Sequence, residues 1–265
     1  MISSVAREPR VEPAGAAETT PVALLEEVSV RYRVPFGNAA LLKERLVGRR
    51  GLGGAYREHE ALHRINLQIH SGETLGVIGP NGSGKTTLLR LVARVLKPTA
   101  GRVRVRGRVA PMLDVIGAAH PELTGRENIA LNGSLFGLTR REVADRLERM
   151  IEFAELGDFI DAPLRTYSSG MIARLGFAVA SDTEPDILAI DEALGVGDER
   201  FQQKCAARID QLRQRGTTLL LVSHDMHSVL RLCATALWLE RGCIRLVGPA
   251  PQVVPAFLAA QRASP

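Results

Sequence analysis

One run of residues has the composition and spacing to hold a phosphate chain: Gly79-Pro80-Asn81-Gly82-Ser83-Gly84-Lys85-Thr86-Thr87. It follows a strand-like segment, Thr74 to Ile78, and opens a helix-like one with leucines and valines at helical spacing, Leu88 to Leu96. Its glycines allow successive N–H groups to point inward at a triphosphate, where the helix dipole adds its positive end. Lys85 is then predicted to reach the β- and γ-phosphates, and Thr86 to place its hydroxyl on Mg²⁺. This context favours nucleotide binding over the alternative, a glycine-rich turn that merely precedes a helix.

An acidic pair follows a short apolar run of the kind buried in a parallel sheet. The run Ile187 to Ile190 ends in Asp191-Glu192. Asp191 would hold Mg²⁺ through water, and Glu192 would orient the water that attacks the γ-phosphate or accept its proton. A strand that ends in a solvated turn is the alternative, and the phosphate loop disfavours it.

A histidine ends the next apolar run, Thr218 to Val222, which is followed by Ser223-His224-Asp225. We expect His224 at the same sheet edge as Asp191, donating a hydrogen bond to the γ-phosphate. A structural histidine is the alternative at this position.

A third set of donors precedes a helix-like run, Ile172 to Ala180. The segment reads Tyr167-Ser168-Ser169-Gly170-Met171. Hydroxyls and backbone N–H groups at a helix start suit an anion, so Ser168, Ser169 and Gly170 are candidate phosphate contacts. A plain helix N-cap is the alternative.

Length and composition indicate a globular protein with one core and room for a small appendage, because the chain has 265 residues. The sequence has no apolar stretch long enough to cross a bilayer and no signal-peptide pattern, so we expect it in the cytoplasm. Its three cysteines form no CxxC pair and are expected to be reduced packing residues. Aromatic residues make up only 4%, so no nucleic-acid partner is expected in spite of a net charge of +5.

The pattern along the chain predicts an α/β fold with a helical subdomain. We expect a flexible tail over residues 1–20 and one core domain over residues 21–248, with the helical subdomain over about residues 121–181. Two T-x-x-E patterns, at Thr124 and Thr139, predict capping boxes in that subdomain. Residues 249–265 are expected to form a short C-terminal helix or tail, helical over Val253 to Ala259.

A long connection separates the first two expected strands, Val28 to Tyr32 and Ile65 to Ile69. It covers about residues 34–60, and such an insertion is often functional. Residues 39–47 have the pattern of a short basic amphipathic helix that would touch a partner or a membrane surface. An ordinary solvated excursion is the alternative.

Taken in order, these motifs resemble the nucleotide-binding subunits of ABC transporters. The resemblance covers roughly residues 22–250 and includes YSSGM in the signature position, ILAIDE at the strand end, Gly195-Val196-Gly197-Asp198 in the D-loop position and His224 in the switch position. It implies a P-loop NTPase fold of the ABC type, ATP and Mg²⁺ as cofactors, and catalytic roles for Lys85, Glu192 and His224. In that family each ATP lies between the phosphate loop of one domain and the signature of another. The resemblance therefore implies a homodimer.

A narrower resemblance is to the branch that exports bacterial surface polysaccharides such as capsule, O-antigen or teichoic acid. It is carried by the run His120 to Ile129, by YSSGM-x-ARL, and by Val196-Gly197-Asp198 leading into Phe201-Gln202-Gln203-Lys204-Cys205. It implies a separate integral-membrane permease as partner and a lipid-linked or anchored glycan as substrate. It also implies a peripheral location on the cytoplasmic face of the inner membrane.

Two functional positions of the family have no single clear counterpart in this sequence. The segment Met112 to Gly117 has no glutamine where the family carries its Q-loop residue, and Asp114 is the substitute expected to contact metal or water. The aromatic that stacks on adenine is either Tyr32, at the end of the first strand, or Tyr56, which lies 23 residues before Gly79. Either tyrosine would otherwise be a packing residue.

Two other functional classes are alternatives for this sequence. A soluble ABC-type ATPase could act as a mechanical switch on nucleic acid or ribosomes, but such proteins usually carry two cassettes or a long coiled-coil insertion, and this sequence has neither. A regulatory module could sense ATP without turnover, but the acidic pair Asp191-Glu192 favours hydrolysis. Export ATPase is the leading prediction.

Overall fold

The structure is a computed structural model and describes residues 20–35, 56–112, 119–191 and 198–263. Several predictions lie outside these residues: the tail over residues 1–19, the helix over residues 39–47, Asp114, Glu192 and the D-loop segment over residues 195–197.

The strands are β1 Ala23–Pro35, β2 Tyr56–Ile69, β3 Thr74–Ile78, β4 Ala100–Val105, β5 Val109–Met112, β6 Ile187–Asp191, β7 Thr218–Val222, β8 Thr235–Glu240 and β9 Cys243–Pro249. They form a six-stranded sheet of order β5-β6-β7-β3-β8-β9 and a three-stranded antiparallel sheet of order β2-β1-β4. The first five strands of the larger sheet are parallel, and β9 is antiparallel to β8.

The helices are α1 Lys85–Val92, α2 Gly125–Leu135, α3 Arg140–Ala154, α4 Ser169–Asp182, α5 Glu199–Gln214, α6 Met226–Leu232 and α7 Ala250–Ala263, with two short 3-10 helices at Gly157–Asp161 and Leu164–Thr166. The predicted C-terminal helix is present but longer than expected. The predicted extension of α1 to Leu96 was wrong, because Arg94 has a φ of +61° that ends the helical path after Val92.

Both faces of the six-stranded sheet are buried along its central parallel strands β6, β7 and β3, as parallel strands require. The first four residues of β6 and every residue of β7 are buried, which confirms the prediction made from their apolar runs, and every residue of β3 is buried as well. One face packs on α4 to α7 through a cluster that includes Ile78, Leu221, Phe201, Val229 and Phe257. The other face packs on α1 and the smaller sheet through a cluster that includes Val77, Leu220, Leu88, Leu25 and Ile65.

The predicted helical subdomain holds α2, α3 and the start of α4, with a core of its own that includes Ile129, Met150 and Leu175. Both predicted capping boxes are confirmed. Thr124 and Thr139 each accept a hydrogen bond from the backbone N–H three residues on, and Glu127 and Glu142 bond back to the cap N–H. These bonds satisfy N–H groups that a helix start otherwise leaves without a partner.

Strands β1 and β2 form a hairpin much longer than the sequence predicted. The expected start of the second strand at Ile65 was wrong, because pairing extends to Pro35 opposite Tyr56. The outer half of the hairpin is mostly exposed and is held by ladder hydrogen bonds and by two cross-strand ion pairs, Arg31–Glu60 at 3.2 Å and Arg33–Glu58 at 3.3 Å.

The three cysteines are free thiols. Burial raises the pKa of Cys205 and of Cys233 to about 12. The prediction that the cysteines are reduced packing residues is confirmed for these two, whereas Cys243 is half-buried.

Candidate functional site

The phosphate loop joins the buried end of β3 to the first turn of α1, in the context that the sequence predicted. Gly79, Gly82 and Gly84 have φ angles of +153°, +75° and +103°, which L side chains rarely adopt. A Cβ on Gly79 would lie 2.1 Å from the Leu239 carbonyl oxygen, and one on Gly84 would lie 2.5 Å from that of Ala61. The curled loop therefore requires glycine at these positions.

Lys85 lies inside the curl of the loop and is buried. Its Nζ donates hydrogen bonds to the carbonyl oxygens of Gly79 at 2.9 Å and Pro80 at 3.0 Å. The buried hydroxyl of Ser83 has no hydrogen-bond partner among the described residues. An ammonium, a free hydroxyl and a helix start at one point form a donor set that fits an anionic phosphate chain.

A cavity of about 580 Å³ opens from this loop. Its lining joins residues of the phosphate loop, the β1–β2 hairpin and the end of β6: Tyr32, His59, Ala61, Asn81, Gly82, Gly84, Lys85, Thr86, Thr87 and Asp191. Its volume lies in the range of small-molecule and cofactor sites.

The two candidate tyrosines lie in different places. Tyr32 lines the cavity, and its hydroxyl is 3.4 Å from Oγ1 of Thr87. Tyr56 is 62% exposed at the outer end of the hairpin and is absent from the lining. The geometry therefore places Tyr32, rather than Tyr56, beside the phosphate loop.

His59 lines the cavity and was missed by the sequence analysis. It is the direct cross-strand neighbour of Tyr32, so the two side chains share one face of the sheet. The strand prediction that began at Ile65 left His59 in a connection, where no register could be assigned. Side chains alternate between the two faces of a strand, so extending β2 opposite the VRYR segment of β1 would have placed His59 on the same face as Tyr32.

Asp191 ends β6 and faces the same cavity as Thr86. Its register neighbour is Val222 at the end of β7, and Val222 pairs in turn with Val77 of β3. The carboxyl ends of three parallel strands therefore meet at the phosphate loop. A hydroxyl and a carboxylate here are oxygen donors of the kind that Mg²⁺ takes together with phosphate oxygens and water.

His224 follows β7 at this edge, as predicted, but it is exposed and is not part of the cavity lining. The neighbouring Ser223 hydroxyl accepts a hydrogen bond from the N–H of Asp225, which in turn caps α6.

The signature segment lies at the start of α4, outside the cavity. Ser168 caps the helix by accepting a hydrogen bond from Met171 N–H at 3.2 Å, and Ser168 and Ser169 are exposed. Further along α4, Arg174 pairs with Asp198 at 2.7 Å and ties the helix to the start of α5. Ser168, Ser169 and Gly170 therefore do not reach the phosphate loop of their own chain.

A glycine-rich phosphate loop, a carboxylate at the adjoining strand end and a cavity of nucleotide size together define a nucleotide-binding site of the ATPase class. None of the described helices is both long and apolar enough to cross a bilayer.

Comparison with known proteins identifies the family. Residues 62–195 match the family described as ABC transporter. The O-antigen export system ATP-binding protein RfbB of Klebsiella pneumoniae is 52% identical over 198 residues, which cover 75% of this chain and 80% of that protein. RfbB of Myxococcus xanthus is 44% identical over 89% of this chain and 55% of its own length. The teichoic acids export ATP-binding protein TagH of Bacillus cereus is 41% identical over 74% of this chain and 36% of its own length.

Solved structures share the fold. A dimeric ATP-binding cassette in a post-hydrolysis state, bound to ADP and Pi, has a TM-score of 0.68 and 23% identity over 86% of this chain and 98% of its own. The ATP-binding subunit of an ABC transporter has a TM-score of 0.69 and 20% identity over 89% of this chain and 93% of its own. The chain belongs to the ABC transporter family and has its nucleotide-binding ATPase fold, which confirms the predicted resemblance and fold class.

Proposed function

We propose that the protein is the ATPase subunit of an exporter that moves a cell-surface polysaccharide or lipid-linked glycan across the inner membrane. The observation that carries the proposal is the cavity in which the phosphate loop and Asp191 meet. The glycan substrate is supported by the relatives, which are named as O-antigen and teichoic acids export proteins.

Residues of the cavity, together with Glu192 and His224, would carry out ATP hydrolysis. The backbone of the phosphate loop and Lys85 hold the β- and γ-phosphates, while Tyr32 lies against adenine. Thr86 and, through water, Asp191 would hold Mg²⁺, which would neutralise charge on the phosphates. Glu192, the next residue after Asp191, orients the attacking water and accepts its proton, and His224 donates a hydrogen bond to the γ-phosphate.

A second copy of the chain completes the site. Ser168, Ser169 and Gly170 offer anion donors but lie outside the cavity of their own chain. In a head-to-tail homodimer they would cover the ATP held by the partner's phosphate loop. The dimeric form of the related cassette supports this arrangement. The dimer would dock on a separate integral-membrane permease at the cytoplasmic face, which handles the glycan.

Substitution of the carboxylate Glu192 tests the mechanism. Glu192→Gln keeps the side-chain shape, so ATP binding should persist while kcat falls about a hundredfold or more. Glu199→Gln is a matched control, because Glu199 is exposed in the first turn of α5 and should leave turnover unchanged. Wild-type turnover in Glu192→Gln would sink the catalytic assignment.

Membrane pull-down from native cells tests the export role. Glu192→Gln protein with Mg·ATP should co-purify a polytopic membrane protein, together with glycan-synthesis enzymes or lipid-linked sugar. Recovery of ribosomes or nucleic acid without a membrane partner would instead favour a soluble mechanical switch.

A further inference from the structure

A second cavity lies between α3, α4 and α5, of which α4 and α5 pack on the face of the sheet opposite α1. Its volume is about 350 Å³, and it shares no lining residue with the nucleotide cavity. The ATPase mechanism proposed above uses none of its residues. Its charged and polar lining residues are Arg149, Asp182, Lys204, Arg208, Ser181 and Gln211.

The cations of this cavity outnumber its carboxylates. Arg149 and Arg208 share the single carboxylate of Asp182, at 3.0 Å and 3.7 Å. Lys204 pairs with Glu155 at 2.7 Å. Three cations therefore face two carboxylates, which leaves one positive charge in excess.

The neighbouring ion pairs add to the excess. Arg146 and Arg215 share the single carboxylate of Glu184, at 3.8 Å and 3.0 Å. Five cations in this group face three carboxylates, so the group as a whole carries a net charge of +2. A phosphate monoester dianion would neutralise it.

One of the cations that line the cavity, Arg208, is mostly removed from water. The side chains of Arg208 and Asp182 are only 17% and 14% exposed. Burial lowers the pKa of Arg208, although a guanidinium remains charged in a protein. A partly buried cation that shares its carboxylate with a second cation is attracted more strongly to a bound anion than an exposed cation is, because water screens the interaction less.

Two of the three cations are also held by hydrogen bonds to backbone carbonyl oxygens. Arg208 donates to the Ser181 carbonyl oxygen at 3.1 Å, and Lys204 donates to that of Phe153 at 3.0 Å. The Phe153 ring is itself held by Phe177 and Phe201, with ring centroids 5.6 Å and 5.8 Å away. Donors that are already ordered pay little conformational entropy when a ligand binds.

We propose that this cavity binds a small organic phosphate, with its phosphate group between Arg149, Lys204 and Arg208. A phosphate group has more acceptor oxygens than a single carboxylate, so it can satisfy more of the donors of two guanidinium groups and an ammonium. The volume is roughly ten times the ~30 Å³ of one water molecule, which leaves room for a sugar or base beside the phosphate.

Calorimetric titration of the full chain tests the proposal, with Mg²⁺ and a non-hydrolysable ATP analogue present so that the nucleotide cavity is filled. Glucose 1-phosphate and uridine 5′-monophosphate are the probes, and glucose and inorganic phosphate are the comparison ligands. We expect at least one probe to bind more tightly than both comparison ligands. Arg208→Gln should weaken that binding about tenfold or more, because it removes a charge-assisted contact.

Two further variants distinguish a loss of ligand binding from a loss of folding. Arg149→Gln should also weaken binding, and its side chain is 61% exposed, so the fold should tolerate it. Arg141→Gln, on the same helix but 91% exposed and outside the cavity, should leave binding unchanged. The proposal fails if neither probe binds up to about 10 mM, if inorganic phosphate binds as tightly as the probes, or if Arg149→Gln and Arg208→Gln both bind like the wild type.

Discussion

At the scale of single residues, the two tyrosines give a direct test of how adenine is held. Tyr32→Ala should weaken ATP binding about fivefold, since stacking is worth on the order of 1 kcal/mol. Tyr56→Ala should bind like the wild type, because Tyr56 lies outside the cavity. Fluorescence titration with a labelled ATP measures both, and the reverse order of effects would assign adenine stacking to Tyr56.

His59 should contribute to nucleotide affinity and not to the chemical step. His59→Ala removes a cavity contact, so we expect KM for ATP to rise about two- to tenfold with kcat unchanged. His63→Ala is the matched control on the same strand, because His63 pairs with Glu60 and is absent from the lining. Steady-state ATPase assays separate the two parameters. A fall in kcat for His59→Ala would contradict the assignment.

The sequence predicts the site residues that belong to a continuous local motif. The phosphate loop is continuous along the chain, so its strand, its glycines and Lys85 were all found. His59 joins the cavity only through its pairing with Tyr32 across the hairpin. The register between two strands depends on how both strands pair, and the sequence pattern of one strand alone does not specify it.

At the scale of elements, the capping boxes should carry measurable stability. Thr139→Ala removes the hydroxyl that caps α3 and should lower the free energy of unfolding by about 1 kcal/mol. Ser134→Ala on α2 should change it little, because that exposed hydroxyl donates only within its own helix. Urea unfolding measures both, and equal values would contradict a capping role.

The same capping box makes stability depend on pH. Hydrogen bonds from the backbone N–H and hydroxyl of Thr139 lower the pKa of Glu142 below its ordinary 4.5. The ionised carboxylate therefore stabilises the fold above the unfolded-state pKa, and this contribution is lost as the pH falls through the lower folded-state value. Glu142→Gln should show a flatter loss of stability below about pH 4.5 than the wild type. Parallel acid titration curves would contradict this.

The sequence predicts the inner part of the β1–β2 hairpin but not its outer part. Its inner residues, such as Val28 and Ile65, are buried and follow an apolar pattern. Its outer residues include arginines and glutamates that pair across the strands, so they present no buried face to detect. Strand formation there follows from continued pairing rather than from burial.

At the scale of the whole molecule, thiol labelling should report the integrity of the core. Cys205 and Cys233 are buried, with pKa values of about 12, so neither forms the reactive thiolate at neutral pH. We expect a thiol reagent to modify Cys243 first and the other two only at the rate of unfolding. Mass spectrometry of native and urea-treated protein measures this, and rapid native labelling of Cys205 would contradict the packing described.

The strand order of the larger sheet has a consequence for how the protein is made. Strand β3 lies between β7 and β8, so Gly72 N–H bonds to Thr218, 146 residues away, and Ala234 N–H to Thr74, 160 residues away. At ribosomal speeds of about 5–20 residues per second, the phosphate loop waits roughly seven to thirty seconds for its neighbours to be synthesised. During that time β3 is an apolar segment with unpaired edges. Nascent chains stalled before β7 should therefore depend on chaperones and fail to retain ATP.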